Sequence, residues 1–73
     1  MTYRTLIATA TGINESHHLA LIEDWMRQQT GGCLDHLSRQ AFGYQARRAV
    51  DDLAEFNSQY PAEFLHYSAA VQP

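Results

Sequence analysis

Apolar positions recur at helical spacing over two long stretches of this chain and follow a different rule before them. From Glu15 to Gln29, Leu19, Leu21, Ile22, Trp25 and Met26 fall on one side when each residue is stepped by 100°. Ala20, Glu23, Asp24, Arg27 and Gln28 fill the other side. The spacing predicts an amphipathic helix over 15–29, with Asn14 as its N-cap and Glu15 favourably placed in the helix dipole. Gly31-Gly32 supplies the left-handed geometry that stops it. Leu34 and Leu37 then read as two apolar plugs in a single turn, and Ser38 caps a second helix over 39–57. Its stripe is Phe42, Ala46, Ala49, Val50, Leu53 and Phe56, with Tyr44, Arg47, Arg48, Asp51, Asp52 and Glu55 facing away. Asn57-Ser58 ends this helix, and Pro61 suits the first turn of a shorter third one over 61–70.

Residues 2–11, Thr-Tyr-Arg-Thr-Leu-Ile-Ala-Thr-Ala-Thr, are rich in β-branched and aromatic types and end at Gly12. No other segment reads as a strand, so this one would have no edge to pair with. An extended arm, a dimer-forming strand and a short helix are the three outcomes; the missing partner strand favours the arm. The expectation is one all-α domain over 1–73, with an extended N-terminal arm (1–13) and a helical core (14–70). It takes the form of a small helical bundle: two antiparallel amphipathic helices and a shorter third. Leu19, Ile22, Met26, Leu34, Leu37, Phe42, Ala46, Ala49, Leu53, Phe56 and Phe64 are its expected core.

A chain of 8.3 kDa exposes roughly 12,000 Å² unfolded and about 4,600 Å² folded. With about 60% of the difference apolar, burial contributes on the order of 110 kcal/mol, and ordering the chain costs about the same. That cancellation, with Tyr3, Leu6, Ile7, Tyr60 and Tyr67 lying outside the two main helices, leads us to expect self-association as a dimer.

Net charge is −3, and the five basic residues are all arginine. Counterion release from phosphate needs a basic excess, so direct nucleic-acid binding is disfavoured. The deficit is too small for a DNA mimic. Four histidines, 17, 18, 36 and 66, make the sign of the charge soft below about pH 6. The single cysteine, Cys33, cannot form an internal disulfide, which suits a reducing compartment. No apolar run approaches a membrane span, and Met1-Thr2-Tyr3-Arg4 lacks the features of a signal peptide. A soluble cytoplasmic protein is the expectation.

Candidate chemistry is thin. Cys33-x-x-His36 with His17-His18 or His66 has the ligand types of a zinc site, but only one pair has sensible spacing. Surface or capping histidines are the simpler reading. Cys33 and His36 also lack the orienting group and oxyanion hole that a thiol nucleophile requires, and Cys33 reads as a small buried plug. Glu23-Asp24 and Asp51-Asp52 lie on polar helical faces, and the glycines are not followed by the lysine of a phosphate loop. No enzyme activity, cofactor or metal is expected.

Surface recognition remains. Tyr44 and Arg48 sit one turn apart on the second helix, and both types are enriched at binding hot spots. Arg39, Arg47 and Arg48 precede Asp51, Asp52 and Glu55, the reverse of the order the helix dipole prefers. Pairing of Arg47 with Asp51 and of Arg48 with Asp52 would make this a plain solvated face. Gly43, costly inside a helix, hints at a close helix approach.

The run Ile22-Glu23-Asp24-Trp25-Met26-Arg27, then Leu34-Asp35-His36-Leu37-Ser38, Phe42 and Ala46-Arg47-Arg48-Ala49, resembles small proteins of phages and other mobile elements. The resemblance covers about residues 20–53. It implies a non-enzymatic protein that binds and inhibits a host protein complex, in the manner of anti-CRISPR inhibitors acting on a CRISPR-Cas effector. Tyr44, Arg48, Asp51 and Glu55 are the first candidates for that contact, and Glu23, Asp24 and Arg27 the second. The alternative is a ribbon-helix-helix DNA-binding regulator that dimerises through an N-terminal strand. Against it stand the long connections, a strand with Arg4 as its one basic residue, and the net acidity.

Overall fold

A computed structural model describes residues 2–73, which form four helices and, among the described residues, no strand. They are α1 (Tyr3–Thr11), α2 (Ser16–Gln29), α3 (Arg39–Gln59) and α4 (Pro61–Ala70). The all-α class stands, with one helix more than the pattern gave.

Local chemistry sets each boundary. Glu15, not Asn14, is the N-cap of α2: its carboxylate accepts from the amides of His17 (3.1 Å) and His18 (2.7 Å). At the other end the Gly32 amide donates to the Arg27 carbonyl at 2.6 Å, with Gly31 and Gly32 at φ +75° and +99°. That 6→1 bond is the Schellman closure the glycine pair implied. Ser38 caps α3 by accepting from the Ala41 amide at 3.1 Å. Asn57-Ser58 does not end α3, which runs on to Gln59 before Pro61 opens α4.

The extended arm is overturned. Residues 3–11 form α1, capped by the Thr2 hydroxyl, which accepts from the Thr5 amide at 3.2 Å. Its threonines spend their hydroxyls on the helix itself, Thr9 donating to the Thr5 carbonyl (3.0 Å) and Thr11 to that of Ile7 (2.7 Å). Tyr3, Leu6, Ile7 and Ala10 stand at i, i+3, i+4 and i+7, so they share the face that meets the core. Tertiary burial outweighs β-propensity here. The dimer-forming strand of a ribbon-helix-helix regulator is lost with it, because that segment is α1.

Helix α3 is the spine on which the others rest. Tyr3 of α1 stacks on Phe42 at 5.8 Å between ring centroids, and Ala10 lies beside Gly43. The core is Ile7, Leu21, Ile22, Met26, Leu34, Phe42, Ala46, Ala49 and Leu53, with Ile7 at 0% exposure. Ala20, assigned above to the polar side, is buried too. Leu19, Leu37 and Phe64 are half-buried rather than central. Phe56 instead centres a second cluster: Trp25, Tyr60, Phe64 and Tyr67 surround it at centroid distances of 5.7, 6.3, 5.8 and 6.2 Å. This aromatic group joins α2, α3 and α4.

Four of the five apolar residues that argued for a dimer, Tyr3, Leu6, Ile7 and Tyr67, are therefore used inside the chain. The exposed area is 4,794 Å², close to the ~4,600 Å² a folded monomer of this mass presents.

Candidate functional site

The two sets of candidate contact residues meet different fates. On α2, Glu23 has a side chain only 16% exposed and takes both of its neighbouring arginines. Arg4 Nε reaches Oε1 and Arg27 Nη2 reaches Oε2, each at 2.9 Å. Burial works to raise the Glu23 carboxyl, but the hydrogen bonds from Arg4 and Arg27 outweigh it and hold it below its ordinary value. Arg27 also lies over the Tyr3 ring at 5.2 Å and donates to the Gly32 carbonyl. Arg4 donates in addition to the Pro73 carbonyl. Asp24 accepts from the Tyr67 hydroxyl at 2.6 Å and from Gln28 Nε2 at 2.8 Å. Burial, then the bond to Asp24, pushes the Tyr67 hydroxyl well above the usual phenol value. Glu23, Asp24 and Arg27, expected to be second-choice contact residues, fasten α2 to α1 and α4. They are tied into the fold.

On α3, Tyr44, Arg48, Asp51 and Glu55 stand at i, i+4, i+7 and i+11, one exposed stripe along the helix. Tyr44 is 63% exposed. The internal pairing expected of this face is only half present. Arg48 Nε lies 4.0 Å from Asp52, but Arg47 donates to the Ala10 carbonyl at 3.3 Å, leaving no arginine within 4.0 Å of Asp51. Asp52 itself accepts from Trp25 Nε1 at 3.3 Å. Glu55 accepts from its neighbour Gln59. Tyr44 and Asp51 make no side-chain hydrogen bond among the described residues.

Beside this stripe, between α1 and the N-terminal half of α3, runs an open groove of about 870 Å³. Leu6, Leu34, Leu37 and Phe42 line its apolar part, and Tyr44, Arg39 and Arg47 stand along it. Sequence reasoning missed the groove because it needs α1 as one wall. The helical spacing of Tyr3, Leu6, Ile7 and Ala10 was the available signal. Gly43 faces Ala10 there at ordinary contact distance: a Cβ on it would stand 3.8 Å from that of Ala10. The close approach inferred from this glycine is not what holds it in place.

Cys33 is exposed, not a buried plug, as is His36. His17 is half-buried and bonds Ser68 of α4 at 2.9 Å. Among the described residues no three His, Cys, Asp or Glu side chains converge as metal ligands would. No helix there is long and apolar enough to cross a membrane.

No family model, curated protein or solved structure matches the chain.

Proposed function

We propose that this protein works by binding another protein and blocking it, with no chemistry of its own. The observation that carries the reading is the α3 stripe, where the Tyr44 and Asp51 side chains have no bonding partner among the described residues and Arg48 is held only at 4.0 Å. A large exposed aromatic in register with an unpaired carboxylate and a loosely held arginine suits a contact surface, where tyrosine and arginine supply much of the energy. The comparable charges of α2 are consumed by folding, so Glu23, Asp24 and Arg27 take no part in the proposed contact.

The resemblance of residues 20–53 to phage and mobile-element proteins supplies the class of target: a host complex, with a CRISPR effector first. The test is target-DNA cleavage by reconstituted CRISPR effectors, with and without this protein. Arg48→Glu and Asp51→Arg, both shown folded by circular dichroism, serve as controls. Inhibition by the natural chain that both substitutions relieve supports the reading. Cleavage unaffected by the natural chain, or slowed equally by all three proteins, defeats it.

A further inference from the structure

Five arginines are spent unequally. Arg4 and Arg27 are neutralised by Glu23, and Arg48 stands 4.0 Å from Asp52. The other two, Arg39 and Arg47, have no carboxylate within 4.0 Å among the described residues, and both line the α1–α3 groove. Arg47 uses one of the five guanidinium N–H donors on the Ala10 carbonyl and keeps the rest. Asp35 is the one acid lining the groove. In a chain of net charge −3, the apolar groove is thus the place where uncompensated positive charge gathers.

That pairing restricts the occupant. It must bring an apolar ridge to cover the accessible apolar lining, Leu6, Leu37 and the Tyr44 ring, and carboxylates to meet Arg39 and Arg47. It must also satisfy its own backbone. Both long walls are helices whose amides and carbonyls are already bonded, so the groove offers no strand edge on which an extended peptide could continue a ladder. A helix brings its backbone already satisfied. Arg39 and Arg47 are eight residues apart on α3, about 12 Å along its axis at 1.5 Å per residue. A helix lying beside α3 would match them with carboxylates about two turns apart, on either side of its apolar ridge.

We infer that the groove docks an acidic amphipathic helix belonging to a partner protein. This rests on the protein-binding reading above and adds the partner's chemistry. The test uses two synthetic helical peptides of about fourteen residues sharing one leucine–phenylalanine ridge, the length needed for a marginally stable helix. One carries glutamates two turns apart beside the ridge and the other carries lysines there. Each is titrated into the full-length isotopically labelled chain and followed by amide chemical shifts.

The glutamate peptide is expected to shift Leu6, Gly43, Tyr44 and Arg47, and to bind at least about tenfold more tightly than the lysine peptide. In the double variant Arg39→Glu/Arg47→Glu the preference should reverse, which also shows that the variant is folded. Equal binding of the two peptides overturns the proposal. So does no binding at about 1 mM, a concentration that detects even the weakest specific contact. Shifts centred on Leu65 and α4 overturn it as well. Groove shifts that grow with protein concentration in the absence of peptide assign the groove to a second copy of the chain instead. If the peptides fail while Arg48→Glu still relieves effector inhibition, the groove proposal falls and the inhibitor reading stands. If the glutamate peptide binds as described and no effector is inhibited, the reverse holds.

Discussion

Helices α2 and α3 carry charged faces of nearly the same make-up, and the fold treats them in opposite ways. On α2, Glu23 binds Arg4 and Arg27, while Asp24 takes the Tyr67 hydroxyl, so this face ties together three helices. On α3, the side chains of Tyr44 and Asp51 bond to nothing among the described residues, and Arg48 only approaches Asp52. What separates them is coverage. The polar side of α2 is flanked by α1 on one edge and by α4 on the other, whereas the outward side of α3 has no helix over it. A charge is worth much when partly buried beside a fixed partner and little when both partners are solvated. The α2 charges thus contribute to stability, and the α3 charges contribute little to it.

The sharpest way to break the α2 side is at Tyr67. Tyr67→Ala removes its hydrogen bond and its ring contacts with Trp25 and Phe56, and should cost about 2–3 kcal/mol in urea unfolding. Tyr67→Phe keeps the ring and should cost only about 1 kcal/mol. Because folding raises the Tyr67 hydroxyl above its ordinary value of 10.0, its contribution is complete below that pH and fades as pH rises beyond it. Tyr67→Phe should therefore also flatten the alkaline limb of the stability curve.

Glu23→Ala comes next, at about 1–2 kcal/mol, since Arg4 and Arg27 are exposed enough to recover water when their shared carboxylate is lost. The sign with pH is opposite to that of Tyr67. Folding depresses the Glu23 carboxyl below 4.5, so its contribution is complete above that pH and is lost as pH falls through the lower folded value. Glu15, lowered by the amides of His18 and then His17, acts in the same window. Denaturation midpoints taken from about pH 6 to about pH 3 should fall for the natural chain and fall less for Glu23→Gln. Equal slopes in the two proteins would mean that Glu23 is no better bound than a surface acid.

The same contrast explains what could be read along the chain. The end of α2 and the starts of α3 and α4 were legible where particular residues control them: the glycine pair at 31–32, Ser38 and Pro61. The buried stripe of α3 was legible because its period is unbroken from Phe42 to Leu53. Helix α1 was not, since Thr2, Thr5, Thr9 and Thr11 weight its composition toward strand, and the hydroxyls of Thr2, Thr9 and Thr11 find helix backbone only once the helix exists. The division of labour between charged faces was hidden for the same reason. Glu23 and Asp51 look alike until the helices that cover one of them are in place. With α1 taken as an arm, neither Arg4 nor Tyr3 could be put beside α2, and the groove had one wall.

Gly43 tests the inner side of α3, where α1 rests. Its helical position has ordinary contact distance available for a methyl group, 3.8 Å from Ala10 Cβ. Gly43→Ala should therefore stabilise the chain by about 0.5–1 kcal/mol through helix propensity and a less flexible unfolded state. A loss of stability in thermal melts would show that α1 sits closer to α3 than this contact allows.

The smallest effect on stability, and the one that completes the contrast, belongs to the exposed stripe. Asp51→Ala removes a carboxylate that no arginine approaches within 4.0 Å, and Tyr44→Ala removes a ring that is 63% exposed. Each should change unfolding free energy by no more than about 0.5 kcal/mol, the usual range for surface positions without a partner. Arg48→Glu should cost a few tenths more, roughly the size of an i,i+4 repulsion, because it sets a second acid one turn from Asp52. Read together with the Glu23→Ala measurement in the same urea series, these values form a direct comparison between equivalent-looking charges on two helices. A cost for Asp51→Ala as large as that for Glu23→Ala would mean that the α3 face is occupied by the fold after all. Near-zero cost with loss of inhibition would leave that face free in the folded chain and used only when a partner arrives.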